Sequence, residues 1–390
     1  MNNKLIALAI AGALTAPMMA VEAAPTAYGR LAVELAQTSN SETGVADQDV
    51  AVDNKAGQFG FKGSEDLGGG LKAIYKAEFG LETSNNGGVS IFDREKFVGL
   101  KIGKQHEIQL GNLKSAYKYG GGVKYDSFAA TTMQARFGST NIKDAAVSTT
   151  SLSGGAMSSG AYGHGGFLQN SVAYIGKFKP VTVWLTHSMD DSLTTASSGT
   201  AGQLRANSVA GDVTSLGVSA KVSSFHFGVA TISKDGCDDQ VATSNCGATT
   251  VGAGNVQEVD QIESTKFFGS WSKGQHTVRA QIETVEKTRG RASATANESK
   301  SFDTDYMYLN YQFKMGKHLV DVAIGEKDDT RAASGSDLDW SRVAYAYNFS
   351  KKTRVFAGVA ANEETNNTGT SNNTNANDWD TFSIGMQVKF

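Results

Sequence analysis

Long stretches of this chain alternate apolar and polar residues with a period of two. Phe382, Ile384, Met386, Val388 and Phe390 interleave with Thr381, Ser383, Gly385, Gln387 and Lys389. The same beat runs through Leu31–Leu35, Leu216–Val222, Val278–Ile282, Met307–Phe313 and Val343–Phe349. Successive side chains of a strand point to opposite faces, so each stretch reads as a strand with one apolar and one polar face. An amphipathic helix would need a repeat near 3.6 residues and is excluded here.

The connections alternate as well. Short ones fall near 67–70, 103–105, 178–180, 223–224, 273–274, 315–316 and 350–351. Long polar ones fall near 39–51, 84–91, 115–168, 190–213, 235–256, 288–300, 328–338 and 362–379. The expectation is all-β, with about sixteen strands, seven short turns and eight long loops. Only 3 of the 390 residues are proline against 44 glycines, which suits many ladders and tight turns because proline lacks the ladder donor. An even strand number with short turns at one end and long loops at the other describes a transmembrane antiparallel β-barrel. A soluble sandwich would have to cover all the apolar faces, and no other part of the chain is left to do so. Charges such as Arg30, Lys72, Lys76, Glu78 and Arg279 on the polar faces suit a watery lumen.

Charge and hydropathy close off other classes. A net charge of −3 gives no basic surface for nucleic acid. A mean hydropathy of −0.28, with no later apolar run of 18 residues, excludes a polytopic helical membrane protein. Residues 1–23 read as an export signal: Lys4 begins it, Leu5–Leu14 is its apolar run, and Val21 and Ala23 are small residues before the expected cleavage. Residues 24–390 are then a single barrel domain. Cys237 and Cys246 lie in a polar loop, and an exported chain tolerates a disulfide between them.

Several motifs resemble the general porins of Gram-negative outer membranes. They are "YGRL" at Tyr28–Leu31, "GFKGSEDLGGGLKAIYKAEF" at Gly60–Phe79, "FDREKFVGL" at Phe92–Leu100, "LQNSVAYIGKF" at Leu168–Phe178 and the terminal Phe390. The resemblance implies a sixteen-stranded barrel, a homotrimer and a long third loop folded into the lumen as a constriction. It implies basic wall residues facing acidic residues of that loop, and a terminal aromatic presented to the assembly machinery.

Matched one by one, the basic positions are Arg30, Lys62 and Arg94. Gln58 stands where the family often has arginine, and Phe167 and Leu168 replace another basic position. Lys72, Lys76 and Lys96 compensate if alternation holds. The third loop, 115–168, carries Lys118, Lys124, Arg136 and Lys143 against Asp126 and Asp144. Its "MQARFGS" has Arg136 where an acid is usual. Two readings follow: a net-positive constriction with a mild preference for anions, or an Arg136 that pairs with Asp126 or Asp144 and only holds the loop.

The remaining expectations are brief. His164, in a glycine-rich stretch, is the histidine expected to be accessible. Trp184, Trp271, Trp340 and Trp379 are candidates for interfacial girdles. Acidic loops such as "EKDDTR" offer solvated charge, or cation bridges to lipopolysaccharide. No catalytic set, metal or cofactor is expected, and no nucleic acid; the partners are lipid, lipopolysaccharide, ions and small hydrophilic solutes. A substrate-specific porin, with a lumen track for its solute, and a barrel serving as adhesin or anchor are the rivals.

Overall fold

The computed structural model describes residues 24–40, 48–54, 57–81, 83–84, 89–90, 94–136, 156–158, 164, 167–189, 212–234, 261–289, 299–329, 336–366 and 378–390. The export signal at 1–23, Lys143, Asp144, and the Cys237 and Cys246 pair lie outside the described residues.

Among the described residues, eighteen strand segments follow one another. They are β1 (Thr26–Asn40), β2 (Gln48–Asp53), β3 (Gln58–Gly68), β4 (Leu71–Leu81), β5 (Val89–Ser90), β6 (Lys96–Ile102), β7 (His106–Leu113), β8 (Leu168–Phe178) and β9 (Val181–Ser188). After these come β10 (Val213–Val222), β11 (Phe225–Lys234), β12 (Gln261–Lys273), β13 (His276–Arg289), β14 (Ser299–Met315), β15 (His318–Asp329), β16 (Ser336–Asn348), β17 (Thr353–Asn366) and β18 (Trp379–Lys389).

All pairings between these strands are antiparallel, and β18 returns to β1 from Arg30↔Lys389 to Asn40↔Trp379, which closes the sheet. Two ring positions are each shared by two segments. Both β2 and β3 pair with β1, and both β5 and β6 pair with β4. The ring therefore has sixteen strand positions, as the periodicity indicates. The short connections also fall where the sequence places them. Gly274 (φ 61°) and Gly316 (φ 59°) take the left-handed conformation that turns the chain within two residues.

The two faces of the sheet are inverted relative to a soluble protein. Leu31, Leu35, Val98, Phe227, Phe267, Ile324, Val343 and Phe382 are exposed, whereas Lys266, Asp321 and Arg342 are buried. In a closed barrel this puts the apolar side chains outside, toward lipid, and the polar ones inside.

A repeated pair marks the short-turn end of the outer face. His106 Nδ1 is 2.8 Å from the Tyr174 hydroxyl, His276 Nδ1 is 2.8 Å from that of Tyr311, and His318 Nδ1 is 2.7 Å from that of Tyr345. Each histidine is the first residue of its strand, so the pairs sit where an apolar surface meets a wet one. The tryptophans do not join them as a group. Trp340 and Trp379 are on the interior face, as their partner Asn362 is, and Trp184 is there too; Trp271 lies on the outer face with Phe225.

Candidate pore-lining site

One charged network joins the interior faces of β1, β3 and β4 to the start of β6. Arg94 Nε donates to Glu78 Oε1 at 2.8 Å, and its Nη2 donates to Gln58 Oε1. Arg30 Nη2 donates to the same Gln58 oxygen at 3.4 Å, and the Tyr28 hydroxyl donates to Glu78 Oε2 at 2.9 Å. Lys76 bridges Glu78 (3.1 Å) and Glu95 (2.5 Å), and Lys114 reaches Glu95 at 2.9 Å. Gln58 thus has a use that an arginine could not serve: its carbonyl oxygen accepts from two guanidinium groups. Lys62 lies on the same face, with its ammonium 5.1 Å from the Tyr28 ring centroid.

The segment 114–136 leaves β7 and binds interior-face side chains on three sectors of the wall. Ser115 caps the single helical turn Ala116–Tyr119, its hydroxyl accepting from Lys118 N at 3.0 Å. On β13, Glu283 accepts from the hydroxyls of Tyr117 (2.9 Å) and Ser158 (2.6 Å), while Gln281 accepts from Gly122 N at 2.7 Å. On β16, Arg342 donates to Asp126 at 2.7 Å and to Met133 O at 2.9 Å. On β1, Glu34 accepts from Thr132 N (2.8 Å) and its hydroxyl (3.0 Å). Arg354 of β17 adds a bond to Ser127 O at 3.2 Å.

Cations gather on this segment. The ammonium groups of Lys114, Lys124 and Lys118 lie 4.6, 5.7 and 5.9 Å from the centroid of Tyr119. Lys118 also sits 4.1 Å from the Phe167 ring. Burial drives the Lys118 pKa well below the ordinary lysine range, and Arg136, Arg94 and Lys114 push it the same way. Burial is the larger cause, and the neighbouring positive charges add to it.

The ten positions singled out in the sequence divide. Arg30, Gln58, Lys76 and Arg94 come together in one network with Glu78. Lys62 borders it. Lys72 is on the interior face but at the turn end, half-exposed and 3.2 Å from Asp66. Lys124 is exposed on the 114–136 segment.

Two expectations are corrected. Arg136 does not pair with Asp126, which bonds Arg342 instead; Arg136 donates to Gln134 Oε1 at 3.0 Å and to His164 O and Ala129 O. Lys96 lies on the apolar face in step with Val98 and Leu100, its ammonium 5.5 Å from the Phe79 ring and 3.3 Å from Arg94 O. A third correction concerns His164, which is fully buried rather than accessible. Glu95 and Lys114 belong to the site but carry no local sequence signal; Glu34, Glu283 and Arg342 are put on the polar face by the alternation, which does not single them out.

A closed antiparallel barrel with an apolar exterior and a charged interior is an outer-membrane β-barrel. The sequence profile of the Gram-negative porins matches residues 7–368, and the chain belongs to the Gram-negative porin family. The family places it in the outer membrane. It is 36% identical over 130 residues to the major outer membrane protein P.IB of Neisseria meningitidis serogroup A, a stretch covering 32% of this chain and 37% of that relative. The match thus spans well under half of the relative's length. Among solved structures, the anion-selective porin from Comamonas acidovorans superposes with a TM-score of 0.67 at 16% identity, covering 94% of this chain and 99% of that one. OmpT of Vibrio cholerae in its trimer form gives 0.59 at 13% identity, covering 94% and 99%.

Proposed function

We propose that this chain forms a water-filled pore for passive diffusion of ions and small hydrophilic solutes across the outer membrane, with a weak preference for anions. The observation that carries the sign is the gathering of Lys114, Lys118 and Lys124 around Tyr119 beside Arg94 and Arg136. The acids of the neighbouring network, Glu78 and Glu95, are engaged by Arg94, Lys76 and Lys114. A narrow passage lined by surplus positive charge concentrates anions and repels cations.

In this reading the segment 114–136 is the constriction, held inside the barrel by its bonds to β1, β13 and β16. Arg30, Lys62, Lys76, Arg94, Lys124 and Arg136 set the field, and Asp126 serves as an anchor. The protein works as a homotrimer surrounded by lipid and lipopolysaccharide and catalyses no reaction. The likeness to an anion-selective porin supports the sign of selectivity, and that to a trimeric outer membrane protein supports the homotrimer.

The test is conductance in a planar bilayer under a salt gradient. Large ohmic steps in groups of three with a reversal potential on the anion side are expected. A cation-side potential would overturn the sign of selectivity, and the absence of conductance would overturn the pore.

A further inference from the structure

The wall beside the 114–136 segment carries a half-open apolar patch, apart from the fully buried interior cluster around Ile262, Phe268 and Trp340. Trp184 of β9 and Ile175 of β8 are cross-strand partners on the interior face, and both are half-buried. Their interior-face neighbours along the same strands are Ser171, Ala173, Lys177, Thr182 and Thr186. An indole and an isoleucine half-open among such residues are not needed to fill a core.

The opposite partner of Trp184 is Gly217 of β10. A side chain there would meet the Ala116 Cβ at 3.0 Å, so the missing side chain is what lets the helical turn approach the wall. That approach brings Tyr119 against Trp184, with ring centroids 6.2 Å apart and planes tilted by 31°. Lys114 and Lys124 stand over the same tyrosine. An apolar, aromatic surface and two ammonium groups therefore lie side by side.

We infer that this patch is a subsite for small aromatic monoanions, such as aryl carboxylates and sulfonates. The inference rests on the pore reading above and names the solute class that the pore retains. The ring of the solute packs on Trp184 and Ile175, and its charged group meets Lys114 and Lys124. Aliphatic or inorganic anions of the same charge gain only the second contact. A neutral sugar gains no ion pair.

The experiment uses the intact protein in a planar bilayer carrying chloride current at pH 7. Benzenesulfonate is titrated in, and methanesulfonate in a parallel run. Both are fully ionised, so they differ in the ring and not in charge. Benzenesulfonate is expected to halve the current at a concentration about threefold to tenfold lower. Trp184→Ala should abolish that difference, Trp184→Phe should keep most of it, and Lys124→Gln should weaken both anions alike. Equal potency of the two sulfonates on the native protein would overturn the subsite, as would a Trp184→Ala variant that retained the difference. Failure of the pore reading is seen separately, as no chloride current before either anion is added.

Discussion

Arg342 of β16 holds Asp126 of the 114–136 segment with one nitrogen and Asp321 of β15 with another, each at 2.7 Å, and all three groups are buried. Asp126 in turn accepts from Phe128 N (2.9 Å) and Ala135 N (2.8 Å), so one carboxylate both ties the segment to the wall and shapes it. Breaking a buried ion pair from one side costs roughly 3 kcal/mol or more, because the other charge stays in place. Asp126→Asn is therefore expected to lower the thermal unfolding midpoint and to make single-channel current noisier. Both readings staying at native values would show that the tie is not what fixes the segment.

Lys124 is the most exposed cation of the segment, and its removal leaves the buried anchors intact. Lys124→Glu should move the reversal potential toward the cation side without changing the melting temperature. An unmoved potential would place the field-setting charges elsewhere.

Lys96 provides the contrasting case. Its side chain lies on the apolar face above Phe79, with the sheet between it and the interior. Lys96→Gln should leave the reversal potential unchanged. A shift comparable to that from Lys124→Glu would contradict the assignment of faces.

His164 supplies a pH dependence. Its Nδ1–H donates to Ser158 O at 2.8 Å, and its Nε2 accepts from Lys266 Nζ at 2.8 Å, with Glu283 3.5 Å away. Burial first, then Lys266, and also Arg136 and Lys118, hold its pKa well below 6.5. The unfolded chain takes up this proton before the folded one does. Stability from this group is thus complete above about pH 6.5 and declines as pH falls toward the depressed value. The melting midpoint of the native protein should drop more steeply between pH 7 and 5 than that of His164→Gln. Comparing the two isolates the histidine from carboxylates that titrate nearby, and parallel slopes would remove His164 as the cause.

What the sequence discloses and what it hides follow from range. Strands such as Trp379–Lys389 are legible because the two faces meet different solvents, and the alternation is written residue by residue. Turns such as Gly274 and Gly316 are legible because only glycine takes their backbone angles cheaply. Alternation alone misplaces Lys96, because the strand position is interrupted between β5 and β6. Gly80 faces Ser90 while Ala77 faces Lys96, so three extra residues intervene, an odd number that exchanges the faces. The partner of Asp126 lies 216 residues away on β16, a distance at which sequence spacing carries no information. In sequence Gln58 is a gap in a basic ladder, yet its oxygen joins Arg30 to Arg94.

The bonds from segment 114–136 to Glu34, Glu283 and Arg342 act as a three-legged brace across a ring. No leg can shorten or lengthen by more than a hydrogen bond tolerates, so the segment must follow whatever the ring does. If lateral pressure in the lipid makes the barrel more oval, the wall points move apart in one direction and together in another. The segment then moves with the barrel instead of staying a rigid insert. Its place is a property of the whole cylinder, because each of its three anchors belongs to a different strand.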